Sequence, residues 1–233
     1  METSPKVSVI CPCYNYKHYL KDCLDSLMGQ TYKNIEIIVV NDGGKDNPKE
    51  VTDLFPTVKL IEKENGGLSS ARNAGIREAT GSLIVCLDSD DKLVPGAIEE
   101  QVRLMINDKT IAQIGGMEFM DRHTVFIPTK PTGLERILRS NTIFCNAMFA
   151  KSQWEEVGGY DESNIMRLGY EDWEFFIRLL ANGCEVNSSD FIGLRYRVHE
   201  GQMTQATSHP NDQKLREYIK NKHINLYEKF NLI

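Results

Sequence analysis

With 233 residues, 41% hydrophobic and 26% charged, the chain is long enough to bury one ordinary globular core. Its formal net charge of -6, spread without a Lys/Arg-rich block, excludes an electrostatic footprint for nucleic acid. No apolar run approaches the roughly 20 residues that span a bilayer, and METSPK leads straight into a strand-like stretch, so a cytoplasmic protein without signal peptide is expected.

The first half alternates short β-branched runs with amphipathic stretches. Val7 to Tyr14 (VSVICPCY) reads as a buried strand, followed by Leu20, Cys23, Leu24, Leu27 and Met28 at helical spacing. Ile35 to Val40 is the next strand, then the turn NDGGKDN and a short helix over Lys49 to Leu54. Val58 to Glu62 makes a third strand, ENGG a loop, Ser69 to Ala79 a helix, and Ser82 to Asp88 a fourth strand. Four strand–helix alternations predict a Rossmann-like, mostly parallel α/β sheet with helices on both faces, whose ligands bind beyond the carboxyl ends of the strands. The loops Cys13 to Tyr16, Asn41 to Asn47, Glu64 to Ser70 and Asp88 to Lys92 should therefore border the site.

The second half is less regular, a smaller mixed region. Strands are expected near Ile111 to Phe119, Asn146 to Ala150 and Phe191 to Val198, with a helix over Asp172 to Ala181. His123 to Gly133, with two prolines and a glycine, reads as a loop and a candidate acceptor-side flap. One final amphipathic helix should carry Leu215, Tyr218, Ile219, Leu226, Tyr227 and Phe230 on a stripe that packs on the core or touches a membrane peripherally. The cysteines Cys11, Cys13, Cys23, Cys86, Cys145 and Cys184 form no C-x-x-C pair and read as reduced core residues.

LDSDD, Leu87 to Asp91, packs three carboxylates into four residues after a buried strand. Such crowding repels itself unless a cation is present, and hard divalent ions share oxygen ligands with diphosphates. The plainer reading is a solvated turn with Asp90 or Asp91 capping the helix that starts near Pro95. In NDGGKD, Gly43 and Gly44 let backbone approach a ligand and Asp42 can accept hydrogen bonds from a base imide or a ribose, although an Asx turn has the same composition. ENGGLSSARNAG can be a turn capped by Ser69 or Ser70, yet Arg72 stands where its guanidinium meets a phosphate or an aspartate.

Taken in order, VSVICPCYNYKHYLKDCLDSLMGQTYKNIEIIVVNDGGKD, ENGGLSSARNAG and LDSDD resemble the nucleotide-binding half of inverting glycosyltransferases of family 2, which have the GT-A fold. VGGYDE, GYEDWEFFIRL and YRVH extend the resemblance over nearly the whole chain. It implies that Pro12, Tyr14 and Asn15 line a nucleoside pocket with Asp42, Gly43 and Ser89, that Asp42 contacts the base, and that Arg72 supports the nucleotide. Asp88 and Asp90 occupy the D-x-D positions and, with His199, would hold Mn2+ or Mg2+. Asp172, preceded by Glu171, matches the catalytic base, although an acidic pair at a helix start also complements the helix dipole. One departure is Asn41 and Gly44 where the common pattern D-D-G-S-x-D has an acid and a serine.

The implied activity is transfer of a sugar, foremost from a UDP-sugar, to a hydroxyl of a glycan or lipid-linked acceptor. Residues 1–92 would bind the nucleotide-sugar, 93–208 the acceptor, and 209–233 would form a C-terminal helix. The rival is a non-catalytic nucleotide-sugar or glycan-binding module, against which the retention of Asp88, Asp90 and Asp172 together argues.

Overall fold

A computed structural model describes residues 4–120 and 132–233. In chain order the elements are β1 (Val7–Cys13), α1 (Lys17–Met28), β2 (Ile35–Asp42), α2 (Lys49–Thr52), β3 (Val58–Lys63), α3 (Leu68–Glu78) and β4 (Leu83–Cys86). There follow β5 (Lys92–Leu93), α4 (Ala97–Leu104), β6 (Thr110–Phe119), α5 (Leu134–Arg139), β7 (Phe149–Ala150), α6 (Lys151–Glu156) and α7 (Glu171–Ala181). The chain closes with β8 (Glu185–Tyr196), α8 (Asp212–Lys222) and α9 (Ile224–Lys229).

The main sheet has the order β3-β2-β1-β4-β7, parallel through its first four strands with β7 antiparallel at the edge. Period-two alternation divides its residues between two cores. Val7, Val9, Cys11 and Cys13 pack with Leu20, Leu24 and Ile98 on one face, while Ile10, Ile38, Val40 and Ile84 pack with Ile76, Phe175, Phe176 and Leu215 on the other. Burial on both faces explains the near-continuous apolar runs of β1, β2 and β4. At the contact of α3 with β1 and β2 a side chain is excluded: a Cβ on Gly75 would fall on Ile10 Cγ2 and lie 3.1 Å from Val40 Cγ2.

The second sheet, β5-β8-β6, differs from expectation in its longest strand. β8 begins at Glu185, six residues before the expected Phe191, and pairs in parallel with β6 along its length. Asn187, Ser188, Ser189 and Asp190 are poor strand formers, so local propensity hides a strand that the β6 ladder imposes. The expected strand at Asn146 shrinks to Phe149–Ala150, preceded by an isolated Ala112–Met148 bridge that ties the two sheets together.

The C-terminal stripe is two helices, broken at His223. Leu215, Ile219 and Tyr227 are buried, with Tyr218, Leu226 and Phe230 packed against the same core, so the stripe is engaged by protein. No helix among the described residues is long and apolar enough to cross a membrane. The expected flap at His123 to Gly133 lies outside the described residues except for Thr132 and Gly133.

Candidate functional site

A cleft of about 840 Å³ opens beyond the carboxyl ends of β1, β2 and β4, where a parallel sheet places its loops. Pro12 and Tyr14 from the end of β1, Asp42 from β2, Arg72 from α3, Asp88, Ser89, Asp90 and Asp91 after β4, and Glu171 and Asp172 from α7 all line it. Residues 130 positions apart in sequence thus share one wall.

Arg72 organises that wall. It is 1% exposed, and its Nη1 donates to Glu171 Oε1 at 2.5 Å while its Nη2 donates to Asp88 Oδ1 at 2.9 Å. Of the two partners foreseen for it, the structure shows an aspartate, and adds Glu171. Burial lifts the Glu171 carboxyl to about 7, Arg72 pulling the other way and Asp172 adding to the rise. The neighbouring Asn73 is structural: its amide binds Tyr160 O and Glu162, and its carbonyl accepts Trp154 Nε1 at 2.9 Å and Tyr160 N at 2.8 Å.

Asp172 projects from the first turn of α7, after Tyr170 in the left-handed region at φ 63°. Its Oδ1 accepts the Trp173 amide at 2.7 Å and its Oδ2 accepts Asn141 Nδ2 at 3.1 Å. Burial raises its pKa against the pull of Arg72 and these two donors. Glu171 and Glu174 share the same turn, so the dipole-complementing role of the acids holds alongside any chemical one.

Asp90 is buried and its Oδ2 lies 3.0 Å from His199 Nε2, so two residues 109 positions apart meet. The Tyr16 and Tyr19 rings flank His199 at 5.2 and 5.0 Å. Burial and the nearby Asp88 push the Asp90 carboxyl up, His199 opposing. Asp91 caps no helix: α4 has no side-chain cap, and Asp91 Oδ1 instead accepts the Arg197 amide at 2.9 Å, clamping the end of β8 to this turn. Arg197 also reaches Asp22 and the Asp90 carbonyl, and Arg195 pairs with Glu118, so both of these arginines are engaged by protein.

Asp42 is 3% exposed and accepts Lys63 Nζ at 2.6 Å, Gly66 N at 3.0 Å and Gly67 N at 2.8 Å. Lys63 is its register partner across β2 and β3, a contact that motif spacing does not reveal. Asn15, at φ 59°, and Gly43, at φ 74°, stand behind the cleft lining: Asn15 Oδ1 holds the Lys45 amide at 2.8 Å and Gly43 packs on Asn65. Neither expected serine caps α3, whose N-cap is Gly67. Cys145, one of six free cysteines, lines the cleft 3.7 Å from Asp88 Oδ2, and burial raises its pKa.

The donor set suits a hard divalent ion. Asp90 and Asp88 offer oxygens and His199 a ring nitrogen, and among the described residues no Lys or Arg pairs with the Asp90 carboxylate, which burial and the nearby Asp88 destabilise. Among the described residues no group of three or more His, Cys, Asp or Glu side chains is already placed to hold a metal ion.

Comparison with known proteins agrees with this architecture. The model of glycosyl transferase family 2 matches residues 8–158, and a model described as the N-terminal domain of galactosyltransferase matches residues 134–203. An uncharacterized glycosyltransferase of Rickettsia typhi is 32% identical over 215 residues, 86% of this chain and 66% of the relative. Chondroitin synthase of Pasteurella multocida is 41% identical over 112 residues, 46% of this chain and 12% of the synthase. The chain thus spans just under two thirds of the Rickettsia typhi relative and a small part of the synthase. Among solved structures, S. aureus TarS in complex with UDP-GlcNAc superposes over 92% of this chain and 65% of its own with a TM-score of 0.77 at 21% identity. A Pyrobaculum calidifontis mannosyltransferase with GDP-Man and Mn2+ reaches 0.67 at 19% identity over 88% of this chain and 60% of its own. The fold is the expected GT-A arrangement, and the family match over more than half of the sequence shows that the chain belongs to glycosyl transferase family 2.

Proposed function

We propose that the protein transfers a sugar from a nucleotide diphosphate-sugar, foremost a UDP-sugar, to a hydroxyl of a glycan or lipid-linked acceptor with inversion. The observation that carries this reading is the convergence of Asp88, Asp90 and Asp172 on one cleft, with Arg72 joining Asp88 to the Glu171–Asp172 turn. The half nearest the amino terminus, 1–92, supplies the nucleotide wall and 93–208 the acceptor wall, with 209–233 as a helical brace.

In this reading Asp172 accepts the proton of the acceptor hydroxyl as its oxygen attacks the anomeric carbon and the bond to the diphosphate breaks. Trp173 N and Asn141 Nδ2 fix the carboxylate, and the proton affinity that burial gives it favours late, concerted deprotonation. Attack from the face opposite the leaving diphosphate inverts the configuration. Asp90, Asp88 and His199 would hold Mn2+ or Mg2+, which when bound neutralises charge on the leaving group. Pro12, Tyr14, Asp42 and Ser89 contact the nucleoside, and Asn15 and Gly43 shape the loop behind it. The six free cysteines suit a reducing, cytoplasmic compartment.

Calorimetric titration of UDP, GDP and dTDP, with and without Mn2+, into the protein and Asp90→Ala tests the donor site. One nucleotide should bind tightly only with both metal and Asp90 present. Absence of any binding would turn the reading towards the non-catalytic module.

A further inference from the structure

Among the described residues six carboxylates line the cleft, from Asp42, Asp88, Asp90, Asp91, Glu171 and Asp172, against two cations, Arg72 and Arg167. Arg72 is consumed by Asp88 and Glu171. Arg167 has no carboxylate within ion-pair distance among the described residues. It is exposed, it rises from the 3-10 turn Asn164–Leu168 just before α7, and its Nη2 donates to the neutral Asn65 Oδ1. A guanidinium has five N–H donors. In a cleft this acidic, an arginine oriented by an amide retains most of that capacity for a ligand.

Its position identifies the part of the ligand. Arg167 lies along Gly67, where a Cβ would stand 3.0 Å from Arg167 Cγ and 3.4 Å from Nε. The Gly67 amide in turn donates to Asp42 Oδ2 at 2.8 Å. Asp42 Oδ1 already accepts two donors, Lys63 and Gly66, whereas Oδ2 accepts Gly67 alone, so one of the roughly four acceptor sites of the carboxylate remains. One glycine therefore separates a donor-rich guanidinium from a carboxylate with a spare acceptor site. In the strand order β3-β2-β1-β4, Asp42 at the end of β2 lies two strand spacings, roughly 10 Å, from the acids that follow β4. The exposed ring of Tyr14 offers a flat apolar face in the same cleft.

We infer that Arg167 reads the donor nucleobase: its guanidinium donates to a ring carbonyl while Asp42 accepts from the adjacent ring N–H. This rests on the nucleotide-sugar reading above. The pair matches the keto–imino edge of uracil, thymine or guanine and mismatches cytosine and adenine, which present an amino group beside a bare ring nitrogen. Gly67 at φ 88° is what allows Arg167 to close over the loop, and Asn65 orients the guanidinium without neutralising it.

The test is calorimetry in Mn2+ with UDP, dTDP, GDP, CDP and ADP on the wild type, Arg167→Ala and Arg167→Lys, with the matching nucleosides measured by competition. The wild type should bind at least one keto–imino nucleotide some 10-fold or more tighter than CDP and ADP. Arg167→Ala should weaken that nucleotide and its nucleoside by the same factor, about 10-fold, and leave CDP unchanged, with Arg167→Lys between. Unchanged thermal unfolding midpoints will show both variants folded. Equal weakening of CDP, weakening of the nucleotide but not the nucleoside, retained discrimination in Arg167→Ala, or none in the wild type would each overturn the assignment while leaving a nucleotide site in place. Wild-type protein that binds no nucleotide would instead remove the donor reading on which it rests.

Discussion

Replacing Arg72 with methionine tests the central claim about the site, that one buried cation holds its acids together. The side chain is 1% exposed and its two partners differ: the Glu171 side chain is 6% exposed and that of Asp88 is 31% exposed. Removing one member of a buried ion pair costs about 3–5 kcal/mol, because the survivor remains desolvated and unpaired. Glu171 should incur most of that, whereas Asp88 keeps access to water and adds little, so about 3 kcal/mol is expected at pH 8. The cost has a sign with pH. The folded-state carboxyl of Glu171 lies at about 7, above its ordinary 4.5, so the native state takes up the extra proton as pH falls through 7. Without Arg72 the Glu171 carboxyl rises further, so the variant takes up its proton at a higher pH than the wild type, and the gap between them should narrow as pH falls from about 8 towards 7 and level off below it. Arg72→Met/Glu171→Met should recover most of the loss, since an apolar pair of similar volume replaces the ionic one. Urea unfolding followed by tryptophan fluorescence reads this directly, as Trp154 and Trp173 are both buried near the pair. A loss below about 1 kcal/mol, or one equally large at pH 8 and pH 6, would refute the reasoning.

Asp172→Asn should lower turnover by at least about 100-fold, the scale of a lost general base, while the dissociation constant for the donor nucleotide stays within about twofold; equal loss of binding would make the residue structural. Glu174, fully buried and held by Arg178, His223 and Lys222, has its carboxyl pulled down to about 2 by these partners against the effect of burial. Its stabilisation should be complete above about pH 4.5 and lost as pH falls towards 2, so acid titration of Glu174→Gln should show a shallower loss of stability in that window than the wild type. Gly75→Ala should destabilise by about 1–3 kcal/mol through overpacking of α3 on Ile10 and Val40, measurable as a lowered urea midpoint; a neutral result would mean that the helix can move away from the sheet at little cost.

The sequence by itself determined the parallel sheet and the loops that border the cleft, because strands buried on both faces must be apolar runs and their polar connections must follow them. β1, β2 and β4 and the LDSDD turn were legible for that reason, as were Asp42, Asp88 and Asp90 as cleft residues, whereas Asp172 was legible only through the family resemblance. Local pattern could not show β8 before Phe191, since Asn187 to Asp190 form a strand only where β6 offers a ladder. Nor could it distinguish Asp91 as a helix cap from Asp91 as a clamp on Arg197, because the competing partner is 106 positions away. Tertiary structure alone decided that Arg72 joins Asp88 to Glu171, that Asp90 meets His199, and that Arg167 closes over Gly67 beside Asp42. Charges act through space rather than along the chain, so a site assembled from opposite ends of the sequence is fixed only when the fold brings its acids and bases within a few ångströms.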